Sequence, residues 1–142
     1  MQLYQFLGGS KKEIETDLTI GIDKPGNMAA KAREYKKNGV RMITIKLGKS
    51  MSDDIECVKE IRMAVGDDLL LRTDANQCWS FDTAVFVLQE IAKYNIQFCE
   101  QPMRSWDDYK FPELRKLSPI KIMADESIFP SRCRTIDKSR SP

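Results

Sequence analysis

Three short apolar runs in this chain each end in a carboxylate. They are Leu69–Gln77 (LLLRTDANQ), Ile96–Pro102 (IQFCEQP) and Ile120–Ser127 (IKIMADES), and the carboxylates are Asp74, Glu100 and Asp125, spaced 26 and 25 residues apart. That interval is about one strand–helix–strand unit, so parallel neighbouring strands would bring all three acids to one end of a sheet. Three such anions repel one another strongly when they share a site. A divalent cation resolves the repulsion, and all-oxygen ligation with vacancies for water and substrate suits Mg²⁺. Such a cation can hold a substrate carboxylate and stabilise the charge that develops when its α-proton leaves. Lys46, at the end of an earlier apolar run (RMITIKL), is the candidate proton acceptor. The chain contains no histidine. Ser-His and Cys-His nucleophile schemes, His-ligated zinc and a histidine base are therefore excluded.

The elements that must position these groups alternate between two periodicities. Strands are expected at 14–22, 41–47, 69–77, 96–100 and 120–124. Helices are expected from Met28 to a stop at Gly39, from Ser52 to Gly66, and over Phe81–Lys93 with Ser80 as N-cap. Segment 105–117 reads as only partly helical, because Pro112 suits the first turn of a short helix. Residues 1–13 read as a connector, since Gly8-Gly9 breaks any helix begun at Leu3. Past Phe129 the pattern stops, and 130–142 is expected to be a disordered, solvated tail. Alternating strands and helices argue for a parallel sheet, either open and doubly wound or part of a (β/α)₈ barrel. No GxGxxG or GxxxxGK[ST] loop follows the first strand, which weakens the nucleotide-binding open sheet. On strand parity, Met42, Thr44 and Lys46 share a face, as do Leu70, Arg72 and Asp74, then Ile96, Phe98 and Glu100, then Lys121, Met123 and Asp125. Charged groups gathered at the C-terminal ends of inward-facing positions are what a barrel active site needs.

Composition sets the outer bounds. With 142 residues, 42% apolar and 31% charged, the chain has the profile of one globular domain. A formal charge of +2 gives no electrostatic reason to expect nucleic acid or an anionic membrane as partner. No apolar run approaches the roughly 18 residues of a membrane span. Cys57, Cys78, Cys99 and Cys133 form no CxxC pair, which fits reduced thiols in a cytoplasm rather than a zinc site. Cys78 and Cys99 read as small buried hydrophobes. Trp79 and Trp106 fit either packing or a pocket wall.

Asp74-Ala75-Asn76-Gln77, Glu100-Gln101-Pro102 and Asp125-Glu126-Ser127 resemble the strand-end motifs of the enolase superfamily, in its mandelate racemase/muconate-lactonizing branch. Within that branch, LGGSKKEIETDLTIGI, IKLGK, LRTDANQCW, and EQPM followed by IMADESIF are most similar to dipeptide (L-Ala-D/L-Glu) epimerases. The likeness runs from residue 3 to about 129. It implies the first five strands of a (β/α)₈ barrel over 14–129, Mg²⁺ held by Asp74, Glu100 and Asp125, and acid–base catalysis by Lys46. Asn76, Gln101 and Glu126 would orient the ligands through hydrogen bonds. The implied reaction is an isomerase's: proton abstraction α to a carboxylate of an Ala-Glu-type dipeptide, through an enolate. A cycloisomerase, a dehydratase, an o-succinylbenzoate synthase or a non-catalytic fragment would share the same metal motif.

Two departures from the family pattern stand out. Thr44 occupies the first lysine position of the family's Lys-x-Lys, and that neighbour's loss should leave Lys46 more protonated. The second catalytic lysine, the last strands and the capping domain have no counterpart, so the resemblance implies a truncated barrel with impaired epimerase activity. Open strand edges would also favour self-association.

Overall fold

The computed structural model describes residues 1–10 and 15–128. Ile14 of the expected first strand, the end of the expected connector, Cys133 and the expected tail 130–142 lie outside the described residues. The chain begins with a one-turn helix, α1 (Leu3–Phe6), where only a connector was expected. Leu7 and Gly8, the latter in the left-handed region at φ 81°, end it there. Then β1 (Leu18–Ile20), α2 (Pro25–Lys37), β2 (Met42–Lys46), α3 (Met51–Val65), β3 (Leu70–Asp74), α4 (Phe81–Ile91), β4 (Ile96–Glu100), α5 (Phe111–Leu117) and β5 (Lys121–Met123) alternate, with short 3₁₀ turns at Ala92–Tyr94 and Ser105–Lys110.

All four strand pairings are parallel, and the strands lie in chain order, β1-β2-β3-β4-β5. A doubly wound sheet reverses its order at a switch point. A (β/α)₈ barrel adds each strand to the same side. The sheet is therefore an arc of a barrel, with five strands among the described residues.

One face of the arc is covered by helices. Ile43, Ile45 and Leu47, then Leu71 and Ala75, then Ile96 and Cys99 are buried against Met28, Ala29 and Ala32 of α2, Val58, Ile61 and Val65 of α3, and Ala84, Val87, Leu88 and Ile91 of α4. Each large aliphatic side chain so buried contributes about 1.5–3 kcal/mol. The helix boundaries follow local chemistry. Ser50 accepts a hydrogen bond from the Asp53 amide (3.2 Å) and starts α3 one residue ahead of the expected Ser52. Ser80 does the same for the Thr83 amide at α4. Pro112 sits in the first turn of α5, where its missing N–H costs nothing.

Arg62 of α3 is buried and held by backbone carbonyls. Its guanidinium donates to the carbonyls of Gly66, Leu69, Tyr94 and Asn95, tying the end of α3 to the starts of β3 and β4. Burial lowers its pKa, against the opposing charge of Asp67, and four carbonyl dipoles support the guanidinium.

Two expectations need correction. The first strand is three residues, not nine: Ile20 is buried, whereas Leu18 and Ile22, assigned to the same inward parity, are 41% and 52% exposed. As an edge strand, β1 has a ladder on one side only, so its ends lack a second partner to hold them extended. In β4 the register slips between Leu71↔Ile96 and Thr73↔Cys99. Two residues advance on β3 while three advance on β4, a bulge-like step that moves Ile96 off the face of Phe98 and Glu100 and into the helix-side core.

Candidate active site

The face of the arc away from the helices carries the polar groups. Register places Thr44 beside Arg72 and, one rung higher, Lys46 beside Asp74 and Asp74 beside Glu100. Glu100 in turn lies beside Met123, two residues before Asp125. Four consecutive strand ends thus bring Lys46, Asp74, Glu100 and Asp125 to one C-terminal rim.

Asp74 is 3% exposed. Its Oδ2 accepts from Lys46 Nζ at 2.5 Å, and its Oδ1 accepts from the Asn76 amide at 2.8 Å. Lys46 Nζ also donates to Asn76 Oδ1 (2.9 Å), closing a three-membered network. Asn76 and Gln77 achieve this turn with positive φ, 42° and 67°, a region that asparagine tolerates better than most residues. Glu100 has its carboxyl pKa raised, first by partial burial and then by the charges of Asp74 and Asp125. Glu100 therefore lies within electrostatic reach of both Asp74 and Asp125.

Gln101 connects the last two of them and is fully buried. Its Oε1 accepts from the amides of Asp125 (2.9 Å) and Ser127 (3.2 Å), and its Nε2 donates to Met103 O (2.9 Å) and Ser127 Oγ (2.8 Å). Both side-chain ends are used, so the orientation of the amide is fixed by its partners. The glutamine clamps the loop carrying Asp125 onto the end of β4. Glu126 is partly buried, and its Oε2 is one of two buried side-chain oxygens without a hydrogen-bond partner among the described residues.

As the side chains stand, no group of three or more His, Cys, Asp or Glu among the described residues is gathered closely enough to hold a metal ion. Asp74 is turned to Lys46 instead. The donor set nevertheless fits a hard divalent cation: three carboxylates on one rim, the middle one raised in pKa first by burial and then by the other two.

Beneath the rim, Asp17 accepts from Thr44 Oγ1 and pairs with Arg72 (3.3 Å). Arg72 Nε donates to Gln97 Oε1 (2.7 Å), and its guanidinium lies over the Phe98 ring at 4.9 Å. Arg72 thus serves Asp17 rather than Asp74. The Thr44 hydroxyl, Arg72 and local backbone contacts hold the Asp17 carboxyl below the usual carboxylate range.

Asp54, in the first turn of α3, is a buried acceptor. It takes hydrogen bonds from the Gly48 and Lys49 amides and from Trp79 Nε1. An acidic residue in a first helical turn is too common to signal this. Trp79 is buried packing, whereas Trp106 is exposed beneath Arg104. Cys99 is buried as expected; Cys78 is exposed, because it sits at the tip of the β3–α4 loop. No helix among the described residues is long and apolar enough to cross a membrane.

Comparison with known proteins agrees with this architecture. Residues 27–132 match the family model described as enolase C-terminal domain-like. The D-Ala-D/L-Ala epimerase of Cytophaga hutchinsonii is 45% identical over 141 residues, which is 99% of this chain and 37% of that protein. The L-Ala-D/L-Glu epimerase of Bacillus subtilis is 38% identical over 93% of this chain and 37% of that protein. The crystal structure of the dipeptide epimerase from Enterococcus faecalis V583, complexed with Mg and L-Leu-L-Tyr, superposes with a TM-score of 0.91 at 42% identity, over 96% of this chain and 39% of that one. The chain thus spans somewhat more than a third of the length of these relatives. Sequential parallel strands, acids at their C-terminal ends and these likenesses agree, and the chain belongs to the enolase C-terminal domain-like family.

Proposed function

We propose that this chain carries the divalent-cation half of a site that moves the proton α to a carboxylate in a dipeptide. The observation that carries the reading is the shared rim of Lys46, Asp74, Glu100 and Asp125. Asp74, Glu100 and Asp125 would hold Mg²⁺, which when bound neutralises the three anions and stabilises negative charge on a substrate carboxylate as the α-proton leaves. Lys46 is the acid–base group. To accept a proton its amine must be neutral and free of Asp74, and Asn76 Oδ1 remains to orient Nζ. Gln101 keeps the Asp125 loop in place, and Glu126 on that loop has one oxygen without a hydrogen-bond partner among the described residues. The thiols of Cys57 and Cys99, buried and free, suit a reducing cytoplasm.

Epimerisation by a two-base route requires a proton donor on each side of the α-carbon, and Lys46 serves one. The chain alone is therefore expected to exchange the α-hydrogen with solvent more readily than it inverts the centre. Relatives act on D-Ala-D/L-Ala and on L-Ala-D/L-Glu. The test is proton NMR of L-Ala-L-Glu, D-Ala-L-Ala and L-Leu-L-Tyr in heavy water, with and without Mg²⁺. Loss of an α-proton signal that requires both Mg²⁺ and Lys46 is the expected result. Exchange that persists in Lys46→Met, or is absent for every dipeptide, would refute it.

A further inference from the structure

The loop that follows the rim's lysine and the loop that carries its asparagine are joined by a buried aspartate outside the rim. Asp54 is 2% exposed and lies in the first turn of α3. Its Oδ1 accepts from the Gly48 amide (2.9 Å) and the Lys49 amide (3.2 Å), just past Lys46 at the end of β2. Its Oδ2 accepts from Trp79 Nε1 (2.9 Å), just past Asn76 on the β3–α4 loop. The loops touch directly as well: a Cβ added at Gly48, where φ is +115°, would stand 2.6 Å from both Cβ and Sγ of Cys78. On its other side, the β3–α4 loop is hydrogen-bonded to the β4 exit through Gln77 N to Gln101 O (2.8 Å) and Trp79 N to Pro102 O (3.0 Å).

We infer that Asp54 and Trp79 form a positioning clasp that sets the β2 exit against the Asp74–Asn76 turn, and so fixes where Lys46 Nζ lies relative to Asp74. This rests on the rim being the functional site proposed above. The physical case is that of geometry held from outside. Lys46 Nζ, on the last residue of β2, reaches Asp74 at the end of β3 and Asn76 in the loop beyond it, and one buried side chain accepting from three N–H donors on two loops holds both exits together. Trp79 is suited to the task because its indole has a single donor, aimed at Asp54, while its ring packs in the core. Both residues are buried, at 2% and 5% exposed, so they act on the rim through the loops they join.

The test compares Trp79→Phe, Asp54→Asn and the double variant in the full chain, with Arg62→Lys as comparator. Trp79→Phe keeps an aromatic ring in the core and removes only the donor. Asp54→Asn sets an amide N–H or a weakened acceptor against the indole, and the double variant relieves that conflict. Arg62 stabilises the opposite, N-terminal end of the strands, so its variant lowers Tm without touching the rim. The readouts are Tm, Mg²⁺ affinity by calorimetry, and the amide resonance of Asn76, assigned by the spectrum of Asn76→Ser.

The expected result is that Asp54→Asn weakens Mg²⁺ binding by at least about tenfold, the scale on which groups orienting a metal site act. The Asn76 resonance shifts, and adding Trp79→Phe restores part of both. Arg62→Lys lowers Tm to a similar degree with neither change. If Asp54→Asn and Trp79→Phe lower Tm but leave the Asn76 resonance where it was, the clasp is structural only and the inference is overturned. If the native chain binds no Mg²⁺, the functional proposal fails by itself, and the Asn76 resonance still decides between a positioning and a structural clasp.

Discussion

Replacing Gln101 by alanine should cost this fold about 3 kcal/mol, and the figure follows from its partners. The side chain is fully buried and makes four hydrogen bonds. Two of the groups it satisfies, the Ser127 amide and the Met103 carbonyl, belong to residues that are 0% and 1% exposed. Each buried orphan costs about 1–3 kcal/mol. The Asp125 amide belongs to an exposed residue and can turn to water, so it adds little. Two orphans at mid-range, less some relaxation, give about 3 kcal/mol and a fall in Tm on the order of 10 °C. Gln89→Ala, on the exposed face of α4, is the control and should change stability by no more than about 0.5 kcal/mol. The assay is urea unfolding of both variants against the native chain, followed by fluorescence of Trp79 and Trp106. A loss below about 1 kcal/mol for Gln101→Ala, or one equal to that of Gln89→Ala, would show that Gln101 does not clamp the Asp125 loop.

Gly48→Ala should be destabilising by roughly 2 kcal/mol or more, because it adds a left-handed-backbone penalty to a 2.6 Å clash with Cys78; thermal unfolding checks it, and a Tm within a degree or so of the native chain would contradict the close approach of the two loops. The Asp17 carboxyl has its pKa lowered, first by the Thr44 hydroxyl and with Arg72 adding to it, so these contacts stabilise the fold above the ordinary carboxylate pKa and their contribution fades as pH falls through the lowered value. Urea midpoints should accordingly separate the native chain from Asp17→Asn at pH 7 and converge in acid; a gap independent of pH would refute the assignment. Burial pushes the Cys57 thiol up to about 11 and the Cys99 thiol up to about 12. In a timed thiol-labelling experiment read by peptide mass spectrometry, exposed Cys78 should therefore react well before either of them under native conditions.

How far the sequence reveals this molecule depends on which contacts decide each feature. The parallel order and the helix spans were legible because the residues that set them are local: Ser80 caps, Pro112 opens a helix, and alternation of Ile43, Thr44 and Ile45 marks a strand with two unlike faces. The placement of Lys46, Asp74 and Glu100 on adjacent strand ends was legible for the same reason, since parity and interval suffice once neighbouring strands are parallel. The slip in β4 was not, because a bulge is chosen by the packing of Ile96 against Leu71 and leaves no mark in the alternation. The shortness of β1 depends on its place at the edge of the arc. Asp54 and Arg62 escaped notice as buried groups because all four of Arg62's acceptors and two of Asp54's three donors are backbone groups, which any sequence supplies. Thr44 reads as a plain strand residue, and its hydrogen bond to Asp17 appears only when β1 and β2 pair.

The proposed site requires that the ends of β3, β4 and β5 take up one divalent cation together. Substoichiometric Mn²⁺ added to ¹⁵N-labelled chain provides the most direct measurement, because its unpaired electrons broaden only nearby amide resonances. The account predicts broadening centred on Asp74, Glu100 and Asp125 and their neighbours, reversed by excess Mg²⁺ and lost in Glu100→Gln. Broadening centred instead on the acidic start of α3 at Asp53 and Glu56, or spread evenly over the surface, would contradict it.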